Sequence, residues 1–532
     1  MLERVRRIPL LALTPLLALL SLTAWVFASP IGAGPDDDFH LVSSWCAGPT
    51  ADETCVEHGA AASYQAPQAL VEIACFAFDP TRSASCQGED WSWSTDVLVE
   101  TDRFNFAGTY PPTYYAVTGA LTGDDIQASA VLMRLLSVAL FVGMAVALFL
   151  LLPVHRRPAL AWVFLLTAVP LGLFLFGTNN PSLWAWIGVG AAPLALIGYY
   201  ETAGRRQAAL GALVVLSTLM AAGSRSDAAV FVCLAIGAIM IIEFAHRRRF
   251  YLQSILPALS ALVALAFFAS AYLARGGASG FTGESFDDAE SGSTVENGPA
   301  ANPGTAAGAG TAPPLSGVGL LASNILNVPR LWTGVFGDRW GLGWLDTSMP
   351  ALVPVATVAA LVLVGTLGIA RPSLRRALMI AGVVIVLVVL PVIVLQAGGI
   401  AVGEQVQPRY LLPLVALLVV LLTLAPAHRP LTLTRVQQFV VIVALSSAQF
   451  VALHLNIRRY VTGIDESGPN LDAGVEWWWA GPVSPNAVWL LGSLAFTLLV
   501  TVLVTRLASA SSLSEHRGGR RRALAEALGH TD

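Results

Sequence analysis

Long runs of nearly uncharged apolar residues recur from one end of this chain to the other, and no other feature limits its fold as severely. A run of about 18 or more such residues can cross a hydrocarbon core of about 30 Å as a helix, and in lipid only helices or closed barrels satisfy their own backbone. Twelve such spans can be read, at 8–27, 129–152, 159–176, 183–199, 208–222, 228–244, 252–273, 351–370, 377–395, 410–424, 436–455 and 487–507, the fifth and tenth being short. The 532 residues are 55% hydrophobic and only 12% charged, against about 25% charged in a soluble domain, which excludes a soluble enzyme of this size. Nothing suggests nucleic-acid binding. The expected fold is all-α, a polytopic membrane protein with about 12 transmembrane helices.

Orientation follows from charge. With the N-terminus in the cytoplasm, twenty of the 30 basic residues, all arginine, fall inside and nine outside, with Arg134 within a span; 28 of the 34 acids fall outside. Both termini are then cytoplasmic in a multi-pass protein of the cell membrane. Residues 1–28 have the charged start of a signal peptide, but Ala28-Ser29-Pro30 is a poor cleavage site, so a retained anchor is expected. The first extracytoplasmic loop spans 29–128, the second to seventh helices 129–273, and the last five 351–507, followed by a basic cytoplasmic tail at 508–532. Between them, 274–318 is a Gly/Ala/Ser-rich insert expected to be disordered by composition. Residues 319–350 are expected to form short helices at the outer interface, with Trp332, Trp340 and Trp344 at headgroup depth.

Four of the five cysteines, Cys46, Cys55, Cys75 and Cys86, lie in the first loop. An even number in an exported loop reads as disulfides with three possible connectivities; Cys46 with Cys55 and Cys75 with Cys86 each close a short local loop and are favoured. A zinc site would want tighter pairs and more than the nearby His58.

Chemistry concentrates in six short segments. Pro35-Asp36-Asp37-Asp38-Phe39-His40 follows the first span at once, and contiguous carboxylates beside an imidazole can deprotonate a hydroxyl or hold a cation. Tyr110-Pro111-Pro112-Thr113-Tyr114-Tyr115 precedes the second span, as an aromatic belt or as one wall of a sugar or lipid-head site. Asn179-Asn180-Pro181-Ser182 and Ser224-Arg225-Ser226-Asp227 form outer turns that matter only if the fold brings them under the Asp36 cluster. Trp344-Leu345-Asp346-Thr347 closes the long second loop, and Gln407-Pro408-Arg409-Tyr410 opens the tenth span, where an arginine can meet a lipid phosphate or merely snorkel.

In this order these elements resemble a bacterial family of predicted membrane proteins catalogued as domain of unknown function twenty-one forty-two. The resemblance covers roughly 8–507, with the Trp-Leu-Asp-Thr and Arg-Tyr elements its most specific parts. Where the family often has Pro-Asp-Glu, the second acid here is Asp37; where it often has Asn-Asp, Asn180 is followed by Pro181. That family is similar in turn to the GT-C class of membrane glycosyltransferases, which use polyprenyl-phosphate sugars and carry an acidic motif in the first outer loop.

The resemblance implies a GT-C-like transferase moving a sugar from a polyprenyl-phosphate donor to an envelope glycan or lipid acceptor. Asp36 or Asp37 would be the general base and Arg409, then His40, the positive charge on the leaving phosphate. Tyr110, Tyr114, Asn180 and Tyr410 would bind substrate, and Trp344 and Asp346 would shape the acceptor side. Some members of that class use a divalent cation, magnesium or manganese, for which Asp36 and Asp37 would supply oxygens. Two rivals stand beside this: a transporter or flippase of lipid-linked glycans, and a non-catalytic scaffold for envelope assembly. Sugar, acceptor, polyprenol and oligomeric state are not legible in the sequence.

Overall fold

The computed structural model describes residues 10–49, 51–58, 63–88, 90–274, 316–370, 372–404, 406–425 and 431–528, with backbone alone at 57, 58, 63 and from 508 onward. The expected disordered insert lies almost wholly outside the described residues. The long helices are α1 (Thr14–Phe27), α2 (Asp37–Trp45), α3 (Ile126–Leu151), α4 (Arg157–Thr167), α5 (Ser182–Glu201), α6 (Gly204–Ala222) and α7 (Ser226–Glu243). After them come α8 (Ile255–Ala274), α9 (Gly317–Val335), α10 (Leu352–Gly368), α11 (Leu374–Ala397), α12 (Pro408–Thr423), α13 (Arg435–Val461) and α14 (Pro485–Leu528).

Among the described residues eight helices are long and apolar enough to cross a membrane, and α10 and α12 are shorter apolar helices. The chain is an all-α polytopic membrane protein. Helix α6 covers the expected fifth span. The third expected span is a correction: its helix stops at Thr167, passes through a wide turn at Ala168–Gly172 and ends in a short 3-10 turn at Leu175–Gly177. Pro170 lies inside the apolar run, has no N–H to donate, and pushes Val169 into extended geometry (φ −91°, ψ 128°). At the break Thr167 Oγ1 donates to Val163 O and accepts from Trp186 Nε1.

Helices α5 and α12 form the centre. Both are apolar all round, as a helix surrounded by other helices must be. Helix α5 packs against α4, α6, α7 and α12, and α12 packs also against α9, α10 and α11. Over one end lies the cap formed by the first loop, an antiparallel three-stranded sheet of β1 (Val56–His58), β2 (Ser63–Pro67) and β3 (Leu98–Thr101). It is pinned by Cys46–Cys55 and Cys75–Cys86, the pairing favoured from loop length. Arginines crowd the opposite end, where Arg376 donates to the carbonyls of Gly368, Leu421 and Leu422 and levels α10, α11 and α12.

From that level α11 rises about 32 Å to Ala397, whereas α12 reaches back only about 20 Å to Pro408 and α10 about 24 Å to Leu352, at 1.5 Å per residue. The two short helices therefore begin well below the cap end. Helix α9 descends into the space they leave, from Gly317 beside Gln396 at the end of α11 to Gly334 against Pro408 at the start of α12. This corrects the expected short interfacial helices: 19 residues form one helix. Its buried stripe of Leu320, Asn324, Val328, Leu331 and Val335 requires a partner along its length.

Besides the Gln396–Gly317 contact, a bond in mid-helix ties α9 to α11. Pro391 has no N–H, so the carbonyl of Leu387 loses its partner within α11, and Trp332 Nε1 donates to it at 3.1 Å. Trp332→Phe should destabilise the detergent-solubilised protein by about 1 kcal/mol. The same change on a Pro391→Ala background, where residue 391 can donate to Leu387 O, should cost almost nothing. Equal losses in both backgrounds in denaturant unfolding would refute this account.

Candidate functional site

The stretch between α1 and α2 is irregular and buried, so its carbonyls need partners. Side chains from all over the molecule supply them. Asn456 donates to Ala28 O, Arg134 to Ser29 O and Pro30 O, Gln87 to Ile31 O, Trp344 to Gly32 O and Tyr460 to Ala33 O. The Asp37 backbone N–H serves Gly34 O, and Pro35 O accepts from both Asn180 Nδ2 (3.0 Å) and Arg409 Nη1 (2.7 Å). Arg134 also reaches Val26 O, the carbonyl that Pro30 leaves without an N–H. Gly34 carries no Cβ because one would meet Thr178 at 2.8 Å.

This scaffold sets the acids apart. Asp36 is left-handed (φ 64°) and presents its carboxylate, 27% exposed, to Arg409 and, at 3.8 Å, to Arg103. Burial alone would raise its pKa, but the Arg409 charge, with that of Arg103, holds it below the usual range. Asp37 is fully buried and accepts from the backbone N–H groups of Gly34 and Asn179. Burial outweighs those bonds and the Arg134 charge, and pushes its pKa up to about 7. Asp38 is held by Arg103 through two bonds of 2.7 and 3.2 Å.

His40 pairs through Nδ1 with Tyr115 Oη at 2.8 Å, while its buried Nε2 has no partner among the described residues. Burial drives its pKa far below the ordinary value. The imidazole is neutral at pH 7, so the positive charge here is that of guanidinium groups, not of His40. Arg225 forms a bidentate pair with Asp227 (2.9 and 2.8 Å) and lies over the Tyr410 ring at 4.4 Å and Tyr110 at 5.9 Å. Arg409 approaches the Tyr410 ring at 5.2 Å, donates to its hydroxyl, and keeps a buried, unpartnered Nε. Tyr114 is buried edge-to-face on Trp184.

The fold thus joins Asp36, Asp37, His40, Tyr110, Asn180, Arg409 and Tyr410 in one layer at the starts of α2, α7 and α12. A small cleft lined by Pro35, Leu171, Phe174, Leu345, Gln407 and Arg409 adjoins it. Trp344 and Asp346 stand on the far side of this cleft's wall with their polar groups committed: the indole N–H to Gly32 O, the carboxylate to Arg459 at 2.7 Å and to Thr347. Arg103 and Arg134 are site residues that motif reading did not select, whereas Asn179 and Arg225 lie in the two outer turns that the fold does bring to the Asp36 cluster. Arg134 carried the one visible signal, an unpaired charge inside a span.

A divalent cation does not fit this arrangement. Asp36 faces two guanidinium groups, Asp37 two backbone N–H groups, and among the described residues no three His, Cys, Asp or Glu side chains converge to hold a metal ion.

A family model described as "Predicted membrane protein (DUF2142)" matches residues 19–418, and the chain belongs to that family. No curated protein and no solved structure matches it.

The raised pKa of Asp37 fixes the sign of a pH effect. Its folded value lies above the ordinary 3.8, so its protonation favours folding at low pH, and that contribution is lost as pH rises through about 7. Asp37→Asn removes this titration. The melting temperature of the variant relative to wild type should therefore climb between about pH 5 and pH 8; a difference independent of pH would refute the assignment.

Proposed function

We propose that this member of the DUF2142 family is a glycosyltransferase that moves a sugar from a polyprenyl-phosphate donor to an envelope glycan or lipid acceptor on the extracytoplasmic face, with inversion. The observation that carries the reading is the Asp36–Arg409 pair: a partly exposed carboxylate beside a buried guanidinium at the first turn of a helix, with one N–H left unpartnered. A helix N-terminus favours an anion, and a guanidinium binds phosphate oxygens through a planar fork.

In this scheme the donor phosphate takes Arg409 from Asp36. Freed of its counter-ion, the Asp36 carboxylate is a stronger base and accepts the proton of the acceptor hydroxyl. The acceptor oxygen bonds to the anomeric carbon while the bond from that carbon to the phosphate oxygen breaks. The electron pair leaves with the polyprenyl phosphate, whose second negative charge develops against Arg409. Asp37, enclosed by backbone donors, is a positioning residue rather than the base. No metal enters the scheme.

A transport reading draws on a different observation. A broken helix beside buried charges, as at Ala168–Gly172, is also a feature of carriers. Transfer from radiolabelled polyprenyl-phosphate sugars in membranes bearing the protein separates the two. Asp36→Asn should lower transfer about a hundredfold or more, Arg409→Ala similarly, Arg409→Lys less, and a chelator should change nothing. No transfer from any donor, with lipid-linked glycan building up on the cytoplasmic leaflet when the protein is removed, would replace transferase by transporter.

A further inference from the structure

We propose that Phe78, seated on the buried Trp344, forms a stacking platform for a pyranose ring of the acceptor. This rests on the transferase reading and deepens it by naming the chemistry of the acceptor subsite. Phe78 is 59% exposed and left-handed, with φ 63°. A bulky aromatic residue rarely adopts that conformation, and it persists only where the surroundings over-determine it.

Here the surroundings do so from both sides. Cys75–Cys86 closes the loop, and Arg459 donates to Phe76 O before Phe78 and to Arg82 O after it. The Phe76 ring is buried edge-to-face on Tyr460, and Ile464 N–H holds Pro80 O. The backbone is pinned and the ring it presents is mostly exposed, so burial returns little to folding. Structural demand alone would put glycine or asparagine at such a position.

Placement and surroundings indicate the ligand. The same Arg459 grips Asp346, making the Phe78 loop and the Trp344 turn one body. Phe78 meets the Trp344 ring edge-to-face at 5.3 Å. On either side of Trp344, Gly343 and Leu345 line the cleft that contains Arg409. An edge-to-face contact leaves a face of the Phe78 ring open, and the same pinned loop carries the exposed Asp79, Thr81 and Arg82. An apolar face edged by a carboxylate and a guanidinium matches a pyranose, whose C–H face stacks while its hydroxyls take hydrogen bonds. An apolar partner would require a continuous apolar patch, which these polar neighbours interrupt.

Binding is measured without catalysis. Saturation-transfer NMR would use tetrasaccharides of glucose, mannose and galactose, α- and β-linked, against the full chain in nanodiscs. Wild type should bind at least one of them; Phe78→Ala should weaken it about tenfold, and Phe78→Trp should retain it. Phe78→Gly should lose binding yet melt no lower than wild type, because glycine relieves the left-handed backbone. Asp36→Asn should bind normally while transfer fails. Absence of binding to every tetrasaccharide, equal binding by Phe78→Ala, or a lower melting temperature for Phe78→Gly would each overturn the platform. Binding that follows Phe78 in a protein that transfers no sugar would support the platform and overturn the transferase reading alone.

Discussion

Eight consecutive carbonyls, from Ala28 to Pro35, lie in an irregular segment within a chain built for lipid, and each must find a donor. In a low-dielectric surrounding an unpaired carbonyl is costly, and a helix cannot serve because the chain has to turn from α1 into α2. The donors come from far along the sequence: Gln87, Arg134, Asn180, Trp344, Arg409, Asn456 and Tyr460. Satisfying one short segment thus draws together α3, α12, α13, the turn before α5 and the Trp-Leu-Asp-Thr turn. Asp36 and Asp37 are held at the end of that segment, so their geometry is a product of the whole assembly.

Electrostatics follows from the same convergence. Asp38 shares Arg103 with Asp36, Asp227 has Arg225, Asp346 has Arg459, and Arg134 stands near Asp37. Buried pairs of this kind contribute little net stability, but removing one partner leaves an uncompensated charge and is severe. Asp36 departs from the pattern by combining ion pairing with solvent access and a left-handed backbone. Of the other left-handed residues, Leu345 lines the cleft that holds Arg409, the partner of Asp36. Helix length sets a second feature: α10 and α12 start below the end of α11, and α9 occupies the space above them.

Much of this was legible in the one-dimensional pattern because the physics there is local. Apolar runs identify spans since each helix must satisfy its own backbone: among the described residues eight of the twelve expected spans coincide with helices long and apolar enough to cross, and two with shorter apolar helices. Cysteines nine and eleven residues apart pair with one another because short loops close readily. The acidic motif, the Tyr-Pro-Pro segment and Arg409 stood out by composition, and the fold brings them together. The break in the third span was present as Val169-Pro170, although mean apolarity concealed it.

Other features required the tertiary structure. Arg225 and Asp227 read as turn residues until packing set them over Tyr110 and Tyr410. Trp344 and Asp346 stood out as a motif, but only packing shows their polar atoms bonded to Gly32 and Arg459. Asp36 and Asp37 are adjacent and chemically identical, yet one is held ionised by guanidinium groups and the other is shifted toward neutrality by burial. Sequence alone determined that the chain crosses a membrane and which residue types are available for chemistry. Only the tertiary structure decided which carboxylate stays charged and which side chains are free, because burial, partner distance and competition for buried carbonyls arise between segments hundreds of residues apart.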